Sequence, residues 1–282
     1  MAQLGQYNSL RVIKQVDFGY YLDGDQFGQV LLPKKQAPED IAVDQQINVF
    51  LYTDSEDRIV STTIKPKAVV GECAYLKVIE TNRVGAFLDW GLPKDLLVPF
   101  NEQQKPMEDS YSYTVYLFID EASERIAASS RIDEHLPSTS NEYEPRQAVE
   151  LMIYSKSDLG FKAIINGTHL GQLYTNEVFR PLHYGEKLPG YIKQIRDDGR
   201  IDLTLQLPAY IARDGLSEKI LQHLADNNGI STLTDKSQPN DISTAFGVSK
   251  SSYKKALGLL YKNRQIKIEK HQITLLSDSS DE

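Results

Sequence analysis

Few residues of this chain are spaced for bond-making chemistry. The five histidines, His135, His169, His183, His223 and His271, are scattered and give no metal-ligand spacing. The single cysteine, Cys73, excludes an internal disulfide and reads as a small buried residue in a strand. Asp197 and Asp198 are neighbouring carboxylates, but Asp198-Gly199 is the dipeptide that a tight strand-joining turn favours. Phosphate loops of the form Gly-x-x-x-x-Gly-Lys-Ser/Thr, Gly-x-Gly-x-x-Gly fingerprints and Gly-x-Ser-x-Gly elbows do not occur. What remains are aromatic residues in strand-like stretches with Asp and Arg nearby, and lysines at the head of a helix. Such groups bind: rings stack under bases and cations follow phosphates. The chain therefore reads as not an enzyme, with no catalytic residue, cofactor or metal.

The elements that position these groups are repeated. Leu10–Pro33 lies over Leu76–Pro99 without a gap, at an offset of 66, with eight identical positions. The register continues from Val49-Phe-Leu-Tyr52 into Val115-Tyr-Leu-Phe118. A third, diverged copy lies at an offset of 75 from the second, Leu151–Gly160 over Leu76–Gly85 and Arg200–Thr204 over Arg125–Ser129. The unit is that of a small barrel rather than a solenoid repeat. Each copy reads as five short strands. A glycine, Gly19 or Gly85, marks a bend or close backbone approach inside the second. Pro33 and Pro99 end the third, because proline cannot donate to a ladder. A longer polar connection then leads to a final hairpin. That layout is an OB-type barrel.

The totals agree with ordinary globular protein, 40% hydrophobic and 25% charged. There is no run of 18 apolar residues, and the start, Met-Ala-Gln-Leu-Gly-Gln-Tyr, lacks a charged-then-apolar signal pattern. A cytoplasmic protein without a membrane contact is expected. The net charge of −8 is unevenly spread. Residues 1–66 carry 6 Lys/Arg against 9 Asp/Glu, and residues 67–138 carry 7 against 12. Residues 139–207 carry 8 against 9, and residues 208–276 carry 10 against 6. Basic charge thus gathers near the C-terminal end, before an acidic tail over 277–282.

Three stretches resemble a known family. Val16-Asp-Phe-Gly-Tyr-Tyr-Leu-Asp23 and Val84-Gly-Ala-Phe-Leu-Asp89 are similar to the second strand of the RNA-binding barrel first described in ribosomal protein S1. Asp198-Gly-Arg-Ile-Asp-Leu-Thr204 is similar to its last hairpin. In that family two aromatics of the second strand, a histidine of the third, and an Asp and an Arg of the last hairpin face RNA. The resemblance carries these roles to Phe18, Tyr21, Asp54 and Arg58 in the first copy, with Leu32 near the place of the missing histidine. It carries them to Phe87, Asp120 and Arg125 in the second, where Val84 replaces the first aromatic. In the third it reaches Arg200; Leu159 and Lys162 stand at the aromatic positions, with Phe161 and Tyr174 as substitutes. A bland reading stands beside this one. Phe18, Tyr21, Phe87 and Trp90 can be packing residues. Arg58 and Arg125 can simply pair with the acidic turns beside them.

After Pro208 the pattern becomes helical. Ser217–Gly229 reads as an amphipathic helix with Ser217 as N-cap and Ile220, Leu221 and Leu224 as its apolar stripe. Pro239–Gly247 is a short helix closed by glycine. Ser249 caps a third helix to about Asn263, with Tyr253, Ala256, Leu257 and Leu260 on one side. Gln265–Leu275 alternates as two strands. Three helices and a hairpin make a winged helix-turn-helix. Lys250, Lys254 and Lys255 open its presumed recognition helix, and Lys267 lies in the wing. They either meet phosphates or merely solvate a surface helix.

The expected fold class is mostly β with a C-terminal α/β winged helix. Three tandem OB-fold (S1-like) five-stranded barrels occupy 1–66, 67–138 and 143–207, and the winged helix occupies 210–276. This order, together with Gly85–Pro99, Asp235–Pro239 and Ser249–Tyr261, resembles the conserved virulence factor B family of YitL-like proteins. The resemblance implies a bacterial RNA-binding regulator of gene expression and virulence factor production. Single-stranded RNA is the expected partner, with DNA open to the winged helix and contact with ribosome or polymerase also open. The alternative is a non-enzymatic scaffold whose acidic barrels have lost RNA binding.

Overall fold

The computed structural model describes residues 1–276, apart from residue 179 and residues 206–208. The backbone alone is described over 209–215. The acidic tail at 277–282 lies outside the described residues. The chain divides into two compact units, Met1–Leu205 and Gln206–Glu282.

In the first unit, barrel 1 consists of β1 (Tyr7–Val16), β2 (Gly19–Asp23), β3 (Gln29–Pro33), β4 (Gln46–Thr53) and β5 (Ile59–Thr62). It closes in the order β1-β2-β3-β5-β4, with β3 and β5 parallel. Alternation places Val12, Leu22, Val30, Leu32, Val49 and Leu51 inside, each almost wholly buried. Barrel 2 has β6 (Cys73–Asn82), β7 (Gly85–Asp89), β8 (Leu96–Pro99), β9 (Ser112–Asp120) and β10 (Arg125–Ser129). Its ladder runs β10-β9-β6-β7-β8. Its edge strands β8 and β10 lie side by side, but the ladder does not close between them as it does in the other two copies. After a short helix α1 (Ile132–His135), barrel 3 has β11 (Ala148–Ser157), β12 (Gly160–Ile165), β13 (His169–Tyr174), β14 (Lys187–Ile195) and β15 (Ile201–Thr204). It closes in the same order as barrel 1.

The offsets of 66 and 75 reappear as backbone irregularities. The first strand of each copy breaks register at Ile13, Ile79 and Tyr154. A single 3-10 turn follows the third strand at Lys34–Gln36, Phe100–Glu102 and Thr175–Glu177. Gly19, Gly85 and Gly160 open the second strands. A Cβ there would sit 2.2, 2.3 and 2.2 Å from the carbonyl oxygens of Leu32, Val98 and Leu173. Only glycine allows that approach, so the diverged third copy kept the residue that the geometry demands.

Two apolar seams join the barrels. At the first, Phe50 of β4 meets Trp90 edge-to-face at 5.8 Å between centroids. Trp90 is buried and donates its indole N–H to the Lys94 carbonyl at 2.6 Å. Trp90 is thus a packing residue, in line with the packing reading of the sequence. At the second seam, Ile132 and Leu136 pack with Met152, Ile164 and Leu170 from the outside of barrel 3. Cys73 borders this cluster half-buried, where burial pushes its thiol up to about 12.

The second unit holds α2 (Ala209–Asp226), β16 (Ile230–Ser231), α3 (Pro239–Phe246), α4 (Lys250–Lys262), β17 (Ile266–Ile268) and β18 (Ile273–Leu275). Its sheet order is β16-β18-β17. Helix α2 begins eight residues before Ser217, so Ser217 is buried mid-helix and is not its N-cap. The intervening Gly215 costs a helix only about 1 kcal/mol and does not stop it. Helix α3 ends at Gly247 in the left-handed conformation, and Ser249 caps α4 by accepting from the Ser252 amide at 3.2 Å. Tyr253 anchors α4 in the core and donates to the Leu233 carbonyl at 2.8 Å. Among the described residues no helix is long and apolar enough to cross a membrane.

Candidate nucleic-acid interface

Strand alternation decides which side chains share the outer face of β2 and β3 in each barrel. In barrel 1 that face carries Tyr21, paired across the ladder with Leu31. Leu32 points inward and is fully buried, so the face position opposite Tyr21 belongs to Leu31. A one-residue shift along a strand exchanges faces, which is why Leu32 could not take the missing histidine's place. Phe18 projects from the β1–β2 turn, 60% exposed. Its ring meets that of Tyr21 edge-to-face at 6.4 Å, and the Lys14 ammonium lies 4.7 Å from the Tyr21 centroid. Tyr20 turns inward and is buried, leaving Phe18 and Tyr21 outside.

The last hairpin of barrel 1 adds Asp54 and Arg58. Arg58 donates through Nε and Nη2 to Asp54 Oδ2 at 3.0 and 2.7 Å, and Nη1 lies 3.0 Å from Glu56. The bond to Asp54 holds the guanidinium's pKa above its ordinary value, with smaller contributions from both carboxylates and from Tyr21. Burial would raise the Asp54 carboxyl, but the Arg58 side chain and the turn amides reverse this and lower it. The hairpin cation is therefore both paired and close to the aromatic face.

Barrel 2 has no such arrangement. Phe87 is half-buried, and Val84 stands 50% exposed where barrel 1 has Phe18. Asp120 accepts from the Ser123 amide and hydroxyl at 3.0 and 2.5 Å. Arg125 turns away to Asp57 of barrel 1 at 2.5 Å, and Lys94 reaches the same carboxylate at 3.3 Å. Arg125 is thus a clasp between two barrels.

Barrel 3 forms a cleft of about 510 Å³ lined by Lys162, Gln172, Tyr174, Arg196, Arg200 and Asp202, among others. Lys162 on β12 is paired with Gln172 on β13 in the ladder, the equivalent of Tyr21 with Leu31. The Arg196 guanidinium lies 5.6 Å from the Tyr174 ring centroid and donates to the Tyr174 hydroxyl. Arg196 is fixed by Asp202, whose Oδ1 lies 2.9 Å from Nε and 2.7 Å from Nη2. That contact raises the arginine's pKa further. Gln194 donates to the other Asp202 oxygen at 2.7 Å. Arg200 stands exposed, 3.6 Å from Asp198. Lys162, Tyr174 and Arg200 therefore come together. Phe161 does not join them; it packs half-buried against the barrel core with Lys156 over its ring.

Arg196, Gln172 and Asp202 were missed in the sequence. Their signal was a charged residue, Asp202, between Ile201 and Leu203 in the hairpin, where a partner had to exist. In the second unit, Lys254 and Lys255 are exposed on α4 and Lys250 is half-buried at its start. Among the described residues no carboxylate lies within ion-pair distance of these three, whereas Lys267 pairs with Glu269 at 2.8 Å.

Comparison with known proteins agrees with this architecture. Residues 4–64 match the S1 domain, and residues 218–275 match the CvfB-like winged helix domain. The protein called "Uncharacterized protein YitL" of Bacillus subtilis is 28% identical over 274 residues, spanning 93% of this chain and 90% of its own. "Conserved virulence factor B" of Staphylococcus aureus is 26% identical over 290 residues, spanning 96% of this chain and 94% of its own. A solved Streptococcus pneumoniae structure, described as a multidomain protein with nucleic acid binding domains, is 25% identical. It covers 97% of this chain and 98% of its own, with a TM-score of 0.43. Along nearly its whole length, the chain is similar to the conserved virulence factor B proteins, and it matches the S1 domain at one end and the CvfB-like winged helix domain at the other.

Proposed function

We propose that this protein binds single-stranded RNA on the outer faces of barrels 1 and 3, with the basic winged helix adding phosphate contacts, and that it acts as a regulator of gene expression rather than as an enzyme. One observation carries the reading. In both closed barrels an aromatic ring on this face has a cation beside it, Lys14 at Tyr21 and Arg196 at Tyr174. A ring accepts a base and the cation accepts the adjoining phosphate, and each stacked base contributes about 1–3 kcal/mol. The S1 and winged-helix types of domain support nucleic-acid binding, and the names of the relatives support a regulator connected with virulence. The arrangement of Arg196, fixed by a buried Asp202, suits positioning and supplies no nucleophile or general base.

Barrel 2 fits the scaffold reading better, since Arg125 is committed to Asp57 and the face lacks the exposed aromatic of barrel 1. Salt separates the two readings. Affinity for a short labelled RNA should fall steeply as salt rises, because phosphate contacts release counterions. Phe18→Ala and Tyr174→Ala should each weaken binding. Salt-independent binding, or RNA cleavage that follows the protein through purification, would reject the proposal.

A further inference from the structure

Three carboxylates face the cations of the barrel 3 cleft, and they differ in origin. Asp202 holds Arg196 from within the barrel and has a side chain only 6% exposed. Asp198 sits on the hairpin turn beside Arg200. Asp133 belongs to α1, the helix between barrels 2 and 3. Its oxygens reach Lys162 Nζ at 3.0 and 3.1 Å, and Oδ1 also accepts from the Tyr154 hydroxyl at 2.8 Å. Tyr154 occupies the register break of β11 and lines the same cleft. Helix α1 is pinned beside it, because Ile132 and Leu136 are buried in the seam. The Asp133 side chain itself remains 52% exposed.

We infer that Asp133 is an internal competitor for the RNA backbone: in the free protein it occupies Lys162 as a phosphate would, and binding displaces it. This rests on the reading of the cleft as an RNA site. Three physical points carry it. The Asp133 carboxylate sits directly against the Lys162 ammonium, the position at which a phosphate would meet that lysine as a point charge. The pair is solvent-accessible and so weak enough to be exchanged, unlike the buried Asp202 pair. The competing charge is delivered from the inter-barrel helix rather than from the barrel, so it tunes the site without being part of its fold.

The test is titration of a short single-stranded RNA with the full chain and three variants across a salt series. Asp133→Asn keeps an acceptor for Tyr154 and releases Lys162. It should tighten binding about two- to fivefold at about 0.1 M salt, the range of an exposed ion pair. The gain should shrink as salt rises, because salt screens the pair that the substitution removes, while Lys162 meets the same phosphate in parent and variant once Asp133 is displaced. In Asp133→Asn/Lys162→Gln the gain should vanish. Glu134→Gln changes the same charge one residue away, where the carboxylate pairs with Arg131 at 3.2 Å, and should leave affinity unchanged. A gain that survives Lys162→Gln, or that Glu134→Gln reproduces, would mean a general field effect and overturn the inference. If the parent binds and Asp133→Asn changes nothing, the inference fails while the RNA reading stands. If no variant binds RNA, the reading of the cleft fails first and the inference with it.

Discussion

Barrels 1 and 3 share a fold, a closure and a glycine, yet the same face carries different chemistry in each. Where barrel 1 has Phe18, Tyr21, Leu31 and Pro33, barrel 3 has Leu159, Lys162, Gln172 and Tyr174. The first is an open aromatic surface with one cation above it. The second is a polar cleft whose cations are each matched by a carboxylate. A stacking face accepts any base, because every base has a π-face. A face of fixed donors and acceptors distinguishes one base edge from another. On the proposed reading, barrel 1 would stack bases without choosing among them and barrel 3 would choose among them, while barrel 2 between them supplies the seams.

The largest effect should come from breaking the first seam, which the comparison needs intact. Trp90→Ala removes the buried indole from Phe50 and leaves a cavity in a core shared by barrels 1 and 2. It should cost about 3–5 kcal/mol of stability, measured by denaturant unfolding followed by circular dichroism. Because Trp90 is the only tryptophan, the parent's fluorescence change on unfolding reports this seam directly. An effect under about 1 kcal/mol would mean that the barrels are held by something other than the apolar contact.

The next effect sharpens the contrast between stacking and charge. Phe18→Ala should weaken RNA binding by about 1–3 kcal/mol while leaving the salt slope unchanged. Arg200→Gln in barrel 3 should do the reverse, a smaller loss with the slope reduced by about 0.7. Changing Lys250, Lys254 and Lys255 to Gln together should lower the slope by about 2, since these lysines carry no carboxylate partner among the described residues. We expect the third barrel and the winged helix to contribute more of the affinity than the first two barrels, on charge alone. Point variants test this better than halves cut near residue 140. Such a cut would expose Ile132, Leu136, Met152, Ile164 and Leu170. If Phe18→Ala abolishes binding while the triple lysine variant does not change it, stacking outranks charge and that ranking is wrong.

Much of this was legible in the residues, and the rest was not for specific reasons. The repeat offsets located Gly160 in a copy with little identity, because backbone geometry tolerates no substitute for glycine there. The helix-turn-helix was readable from Gly247 and Ser249, whose caps are local. Ser217 misled because a serine preceding an apolar stripe looks the same whether a helix begins there or runs through it. The burial of Trp90 and the direction of Arg125 depend on how one barrel meets the next, and strand periodicity says nothing about that. Asp133 was invisible for the same reason: it lies 29 residues from Lys162 and reaches it only because the seam fixes α1.

The smallest effect concerns the carboxylates that support each face, and it separates the barrels by pH. Asp54 in barrel 1 and Glu177 in barrel 3 both titrate below their ordinary values. For Glu177, burial pushes the other way, and bonds from Lys193 at 2.6 Å and Thr204 at 2.7 Å prevail. A carboxyl lowered in the folded state binds fewer protons there than in the unfolded chain. Its contribution is therefore complete above the unfolded value near 4.5 and is lost as pH falls through the lower folded value. Near-surface ion pairs of this kind contribute about 0.2–1 kcal/mol each. Glu177→Gln should thus lower Tm slightly at pH 7 and converge with the parent as pH falls through the folded value, which lies below 4.5. Asp54→Asn should show the same convergence, but with a second signature. Asp54 holds Arg58 near Tyr21, so its loss frees a cation beside the stacking face and should raise RNA affinity slightly even as stability falls. Glu177 pairs with Lys193, which does not line the barrel 3 cleft, so Glu177→Gln should leave affinity alone. Equal effects of the two variants on RNA binding would show that the hairpin of barrel 1 is no part of its interface, and the contrast between the barrels would rest on Phe18 and Tyr21 alone.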